Sequence, residues 1–123
     1  MKSHINKMKN IELKYKIWLE KDGLSILGDG KYLLLKTIEQ EGSLMAAIEK
    51  LEISYRKTWN KLKEIEKKLG FPLLETTRGG ALGGGSVLTP EAKKMINAFD
   101  NFHKNIDEKI NIAFKEFYDE LNK

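Results

Sequence analysis

The side chains best equipped for chemistry lie in one short run, Ser54-Tyr55-Arg56-Lys57-Thr58-Trp59-Asn60-Lys61. It holds hydrogen-bond donors and cations rather than a nucleophile beside a base. Arginine presents a planar fork that fits the O6 and N7 acceptors of guanine. Asparagine matches N6 and N7 of adenine, and lysine is a point charge suited to phosphate. A second group follows at Thr77, Arg78, Gly79, Gly80, Gly83, Gly84, Gly85 and Ser86, where five glycines fall within seven residues. Glycine lets backbone approach a phosphate closely and tolerates positive φ. Together the two groups suit recognition of a polyanion.

Other chemistry is sparse. The chain has no cysteine, which excludes disulfides and thiolate metal sites. Its two histidines, His4 and His103, are too far apart in sequence to suggest a metal site, and no Ser-His-Asp or Cys-His arrangement can be assembled. Glu39, Glu41, Glu49 and Glu52 read as solvated helix faces. Gly80 and Gly85 have P-loop spacing, but Ser86 stands where the loop needs lysine. No enzymatic activity, cofactor or metal is expected.

The charge sits where the donors sit. Lys and Arg exceed Asp and Glu by 22 to 18, a net +4. From Ser54 to Arg78 there are seven basic residues (Arg56, Lys57, Lys61, Lys63, Lys67, Lys68, Arg78) against Glu64, Glu66 and Glu75, so this fifth of the chain carries the whole excess. A helix face rich in lysine is often merely solvated. Placement at the start of a helix and beside a glycine-rich hairpin argues for a partner instead.

The surrounding elements follow from periodicity and caps. Residues 1–10 are polar and basic and read as a loose arm. Over 11–19, Ile11, Leu13, Tyr15, Ile17 and Leu19 alternate, with Glu12, Lys14 and Lys16 between, the period of a half-buried strand. Asp22-Gly23 is a hairpin turn, with Leu24-Ser25-Ile26 on its far side. Leu34, Leu35 and Ile38 mark a first helix closed by Gly42. Ser43 caps a second helix with Leu44, Ala47, Ile48 and Leu51. Ser54 caps a third, whose stripe is Thr58, Leu62, Ile65 and Leu69 and whose end is Gly70 before Pro72. Residues 73–77 and Val87-Leu88 read as two short strands around the glycines. Thr89-Pro90-Glu91 opens a last helix running to about residue 122, roughly 50 Å long at 1.5 Å per residue.

This order (hairpin, helix, helix–turn–helix, strand–loop–strand, long helix) predicts a mostly helical α+β fold, a winged helix-turn-helix. It assigns 1–10 to the arm, 11–89 to the winged domain and 90–123 to a long C-terminal dimerisation helix. In such a motif the second helix of the pair enters the major groove N-terminus first. Ser54, Tyr55, Arg56, Lys57, Asn60 and Lys61 then meet duplex DNA. Thr77, Arg78, Gly79, Gly80, Gly83, Gly84 and Ser86 form the wing that follows the backbone. Trp59 lies one position from the apolar stripe, where an indole packs at the core edge or stacks against the wing or sugar; core-edge packing is the commoner arrangement. The expected function is a sequence-specific double-stranded DNA-binding transcriptional regulator. The alternative is a winged-helix module for protein contacts, in which acidic groups of a partner meet Arg56, Lys57 and Lys61.

ISYRKTWNKLKEIEKKLG followed by LLETTRGGALGGGSVLTPEA resembles the N-terminal DNA-binding domain of molybdate-responsive (ModE-type) transcription regulators. The resemblance covers roughly residues 24–102, and its most specific part is the glycine-rich wing followed by Leu88-Thr89. More distantly the stretch is similar to the LysR-type regulators. The resemblance implies a DNA-reading segment at Ser54, Tyr55, Arg56, Lys57 and Asn60 and a wing over residues 78–86. Two departures stand out. Leu51-Glu52-Ile53 occupies the turn where many relatives carry glycine. Full-length molybdate regulators also continue into an oxyanion-binding module, and no molybdate-binding module is expected within this chain.

In the last helix Ala92, Phe99, Ile106 and Ala113 repeat every seven residues, as do Ile96, His103, Ile110 and Phe117. Read as d and a positions, they form a seam over almost four heptads. A helix of this length exceeds what a domain of this size can cover, so a second copy is the simplest partner. The expected interface is Ile96, Phe99, His103, Ile106, Ile110, Ala113 and Phe117, with the first half of the helix also able to pack inside. A two-fold homodimer would read a palindromic operator with half-sites about 34–36 Å apart, or a multiple of that. His103 is polar on this seam: it could fix register or titrate against its twin, though a partly exposed structural role is commoner. No apolar run of about 18 residues spans a membrane. The basic start, MKSHINKMKN, lacks the apolar core of a signal peptide, so a cytoplasmic location is expected.

Overall fold

The computed structural model describes residues 8–76 and 85–123. Two compact units are present, Ile17–Ala98 and a second made of 8–16 with Phe99–Lys123. In the first unit, β1 (Leu19–Lys21) and β2 (Leu24–Leu27) pair antiparallel, with Lys21 opposite Leu24. Asp22 and Gly23 join them at φ 50 and 83, the two positive values that a tight primed turn needs. A bulge lies between Leu19 and Glu20.

Three helices follow: α1 (Asp29–Glu41), α2 (Leu44–Leu51) and α3 (Tyr55–Leu69). The expected caps are in place. Ser43 Oγ accepts from the Ala46 amide at 3.1 Å, and Ser54 Oγ accepts from the Lys57 amide at 3.3 Å. Each replaces a bond that the first turn of a helix cannot supply internally. Gly70 ends α3 at φ 83, where its amide donates to the Glu66 carbonyl at 2.8 Å.

Then β3 (Leu74–Thr76) pairs antiparallel with β4 (Ser86–Leu88), Leu74 facing Leu88 and Thr76 facing Ser86. Thr89 fastens this ribbon to what comes next. Its hydroxyl donates to the Pro72 carbonyl at 2.8 Å and accepts from the Ala92 amide at 3.1 Å, so it caps α4 (Pro90–Leu121) while holding the strand's approach.

The core of the first unit is the set that helical spacing marks. Leu34, Leu35 and Ile38 of α1, Leu44, Ala47 and Ile48 of α2, and Leu62 and Ile65 of α3 are buried together with Leu27, Leu73, Leu74, Leu88, Ala92 and Ile96. Each fully buried leucine or isoleucine contributes about 1.5–3 kcal/mol of burial. The turn between α2 and α3 is tight without glycine. Glu52 takes φ 54 and ψ 47, and the Ile53 amide donates back to the Ile48 carbonyl at 3.3 Å. The fold is therefore the α+β winged helix-turn-helix read from the sequence.

One element differs. Residues 11–17 form no strand; β1 begins only at Leu19. In the second unit 8–16 instead runs antiparallel along the later turns of α4. The Asn10 amide donates to the Tyr118 hydroxyl at 3.1 Å, Asn122 Nδ2 donates to the Met8 carbonyl at 3.4 Å, and Tyr15 hydrogen-bonds Asp107. Alternation at period two describes any extended segment, and here its neighbour is a helix. Ile11, Leu13 and Tyr15 remain 39–40% exposed.

The expected dimer seam is also used differently along its length. Ile96 is 1% and Phe99 4% exposed within the single chain, so neither offers surface to a second copy. His103, Ile106 and Ile110 are half-buried, and Ala113 and Phe117 are exposed. His103 packs edge-on to Phe99 and places Nδ1 2.8 Å from Asp107 Oδ2. The Tyr15 hydrogen bond, helped by His103, holds the Asp107 carboxyl below the usual carboxylate range. Asp107 in turn holds the Tyr15 phenol above the usual tyrosine range, chiefly through that hydrogen bond.

Candidate nucleic-acid interface

α3 buries Leu62 and Ile65 and leaves Tyr55, Arg56, Lys57, Asn60 and Lys61 exposed. The buried stripe fixes the rotation of the helix, so the opposite side must carry these residues outward. Ser54, also exposed, spends its hydroxyl on the Lys57 amide and so shapes the helix start.

The local electrostatics run against the helix dipole. The first turn holds Arg56 and Lys57 and no acid, although the helix dipole favours the reverse. Among the described residues neither cation is in an ion pair, nor is Lys67 near the end of the helix, while Lys61 lies 3.6 Å from Glu64, Lys63 3.0 Å from Glu66 and Lys68 3.6 Å from Asp22. Local rules broken without internal compensation are expected where an outside group completes the site.

Half-buried, Trp59 stacks on Tyr55 with ring centroids 6.1 Å apart and 8° between planes, and the Lys63 ammonium lies 4.3 Å from the indole centroid. A half-buried indole is compatible with the expected core-edge packing, and it also forms a stack along α3. Glu66 was missed by sequence reasoning. Its carboxylate accepts from the Leu73 amide at 2.6 Å and the Leu74 amide at 3.2 Å, which ties α3 to the first wing strand. Helical spacing alone places Glu66 near the end of α3; only the fold brings it to β3.

Of the expected wing residues, Ser86 sits opposite Thr76 at the end of the ribbon nearest the glycine-rich connection. Thr77, Arg78, Gly79, Gly80, Gly83 and Gly84 lie outside the described residues.

Residues 31–93, just over half of the chain and including both helices of the turn and the two ribbon strands, match the family described as bacterial regulatory helix-turn-helix protein, lysR family. The chain belongs to that family. Among curated relatives it is 36% identical over 94 residues to "Transcriptional regulator ModE" of Haemophilus influenzae, covering 76% of this chain and 36% of the relative. It is 35% identical over 81 residues to "Molybdenum-pterin-binding protein MopB" of Rhodobacter capsulatus, covering 66% and 30%. It is 34% identical over 67 residues to "DNA-binding transcriptional dual regulator ModE" of Escherichia coli K12, covering 54% and 26%. The ModE-type resemblance read from the sequence is thereby borne out. This member of the lysR family spans about a third of the length of the curated relatives it matches. Among the described residues no helix is long and apolar enough to cross a membrane.

Proposed function

We propose that this chain is a sequence-specific double-stranded DNA-binding regulator of transcription. Its reading element is the start of α3. Arg56 and Asn60 address base edges in the major groove, Lys57 and Lys61 address phosphate, and the glycine-rich wing follows the backbone. The observation that carries this reading is the exposed, Ser54-capped helix start whose two first-turn cations have no acidic partner among the described residues. The family and the regulator names of the relatives favour it over a module for protein contacts.

Pairing of two copies through the later turns of α4 completes the proposal. Phe117 is 54% exposed there, and a two-fold pair would present two α3 helices to a palindromic operator. Fluorescence anisotropy on duplex and single-stranded DNA tests the binding claim. Duplex affinity should be the higher and should fall steeply with salt, because released counterions dominate the free energy. Equal, salt-insensitive binding to both would reject it.

A further inference from the structure

An open groove of about 400 Å³ lies among the first turns of α1, the turn between α2 and α3, and the start of α3. Its walls are apolar: Leu33 of α1, Leu51 and Ile53 at the turn, and Leu62 of α3. Leu33 and Ile53 are 53% and 40% exposed, so the groove opens to solvent through aliphatic side chains. Gly30 flanks it without a positive φ, and an added Cβ there would meet nothing within 4 Å. Neither backbone nor packing calls for glycine at that position, and its effect is to leave this end of the groove open.

The charge in the groove has one sign. Lys31, Lys57 and Lys61 line it, and no carboxylate does so among the described residues. Lys31 and Lys57 are in no ion pair there, while Lys61 lies 3.6 Å from Glu64 in an exposed pair that water and salt readily loosen. Apolar walls with a few polar groups are the make-up of small-ligand sites, and the volume falls within their range of roughly 300–1,000 Å³. Length decides against a docked helix. The lining covers about 6 Å of α1 and about 8 Å of α3, at 1.5 Å per residue. A helix laid in a groove anchors through residues seven apart, which needs about 10 Å.

We propose that this groove binds a small organic acid, a carboxylate on an aliphatic or aromatic body, and that its occupant opposes DNA binding. The body lies against Leu33, Leu51 and Ile53, and the carboxylate meets Lys31 and Lys57. Lys57 is then withdrawn from phosphate, and the two ligands weaken each other by the same factor. This second half rests on the DNA-binding reading; the site itself does not.

The test uses the full chain with octanoate, and with octanamide as the same body without the charge. Methyl-resolved NMR should show saturable shifts at Leu33, Leu51 and Ile53 with octanoate, and binding of octanamide about tenfold weaker. Lys31→Gln combined with Leu33→Gln removes one cation and one wall. It should weaken octanoate binding about tenfold and leave duplex affinity within about twofold of the parent. In anisotropy, saturating octanoate should lower duplex affinity about tenfold and reduce the salt slope by about one, the share of Lys57. No saturable shift at these methyls, or equal binding of octanoate and octanamide, would overturn the site. So would an acidic amphipathic peptide that shifts the same methyls when octanoate does not. Octanoate seated in the groove with duplex affinity unchanged would reject the antagonism. A protein that takes octanoate there but binds no duplex would keep the site and reject the DNA reading, and the antagonism with it.

Discussion

Glu52 gives a sharp test of the helix-turn-helix geometry. At φ 54 and ψ 47 it holds a left-handed conformation that sets the angle between α2 and α3. For a residue with a Cβ this conformation costs about 1–2 kcal/mol. Glycine removes that cost but loses more chain entropy on folding, about 0.5–1 kcal/mol. Glu52 is exposed and is in no ion pair among the described residues, so no contact offsets the gain. Glu52→Gly should therefore stabilise the protein by about 0.5–1 kcal/mol, a rise in Tm of roughly 2–8 °C for a domain of this size. Thermal melting followed by circular dichroism measures it. Glu52→Ala, which keeps the Cβ, serves as control and should fall within about 0.5 kcal/mol of the parent. A Glu52→Gly protein that melts at or below the parent temperature would refute the strained turn.

Ser54→Ala removes the acceptor for the Lys57 amide and should cost about 1 kcal/mol, visible as a lower urea midpoint with an unchanged m-value. The contact of 8–16 with α4 should depend on pH at both extremes. The depressed Asp107 carboxyl contributes stability that is lost as pH falls below the usual carboxylate range, and the raised Tyr15 phenol contributes stability that is lost as pH rises above the usual tyrosine range. Amide exchange of residues 10–16 should be slowest between those limits, and Tyr15→Phe should abolish the alkaline transition and weaken the acid one, which His103 still supports. For the proposed pairing, light scattering should give twice the single-chain mass of 14.1 kDa, and Ile110→Ser with Phe117→Ser should return it to that value.

Most of the fold was legible because its signals are local. Ser43, Ser54 and Thr89 each stand one residue before a helix, and Gly42 and Gly70 one residue after, so caps and termini could be read directly. The apolar stripe of α3 fixed which side of that helix would be free, and hence where Arg56, Lys57 and Asn60 would point. What was not legible depends on tertiary partners. The alternation over 11–19 cannot say whether its neighbour is a strand or a helix. The heptads of α4 could not show that Ile96 and Phe99 are buried within the chain itself, because a core stripe and a dimer seam have the same period. Glu66 looked like one more surface acid until β3 was brought to it. The Tyr55–Trp59–Lys63 spacing was present in the sequence, yet spacing alone does not tell a stack from three separate side chains.

If the exposed start of α3 reads a duplex, Arg56 is the side chain whose removal shows it. The measurement is the affinity of Arg56→Ala and of the parent for a selected operator and for each of its single-base variants, at one fixed salt concentration. The expected result is a loss of about 1–3 kcal/mol on the operator, together with loss of discrimination at one base pair per half-site. An Arg56→Ala protein that binds every duplex as the parent does would contradict it.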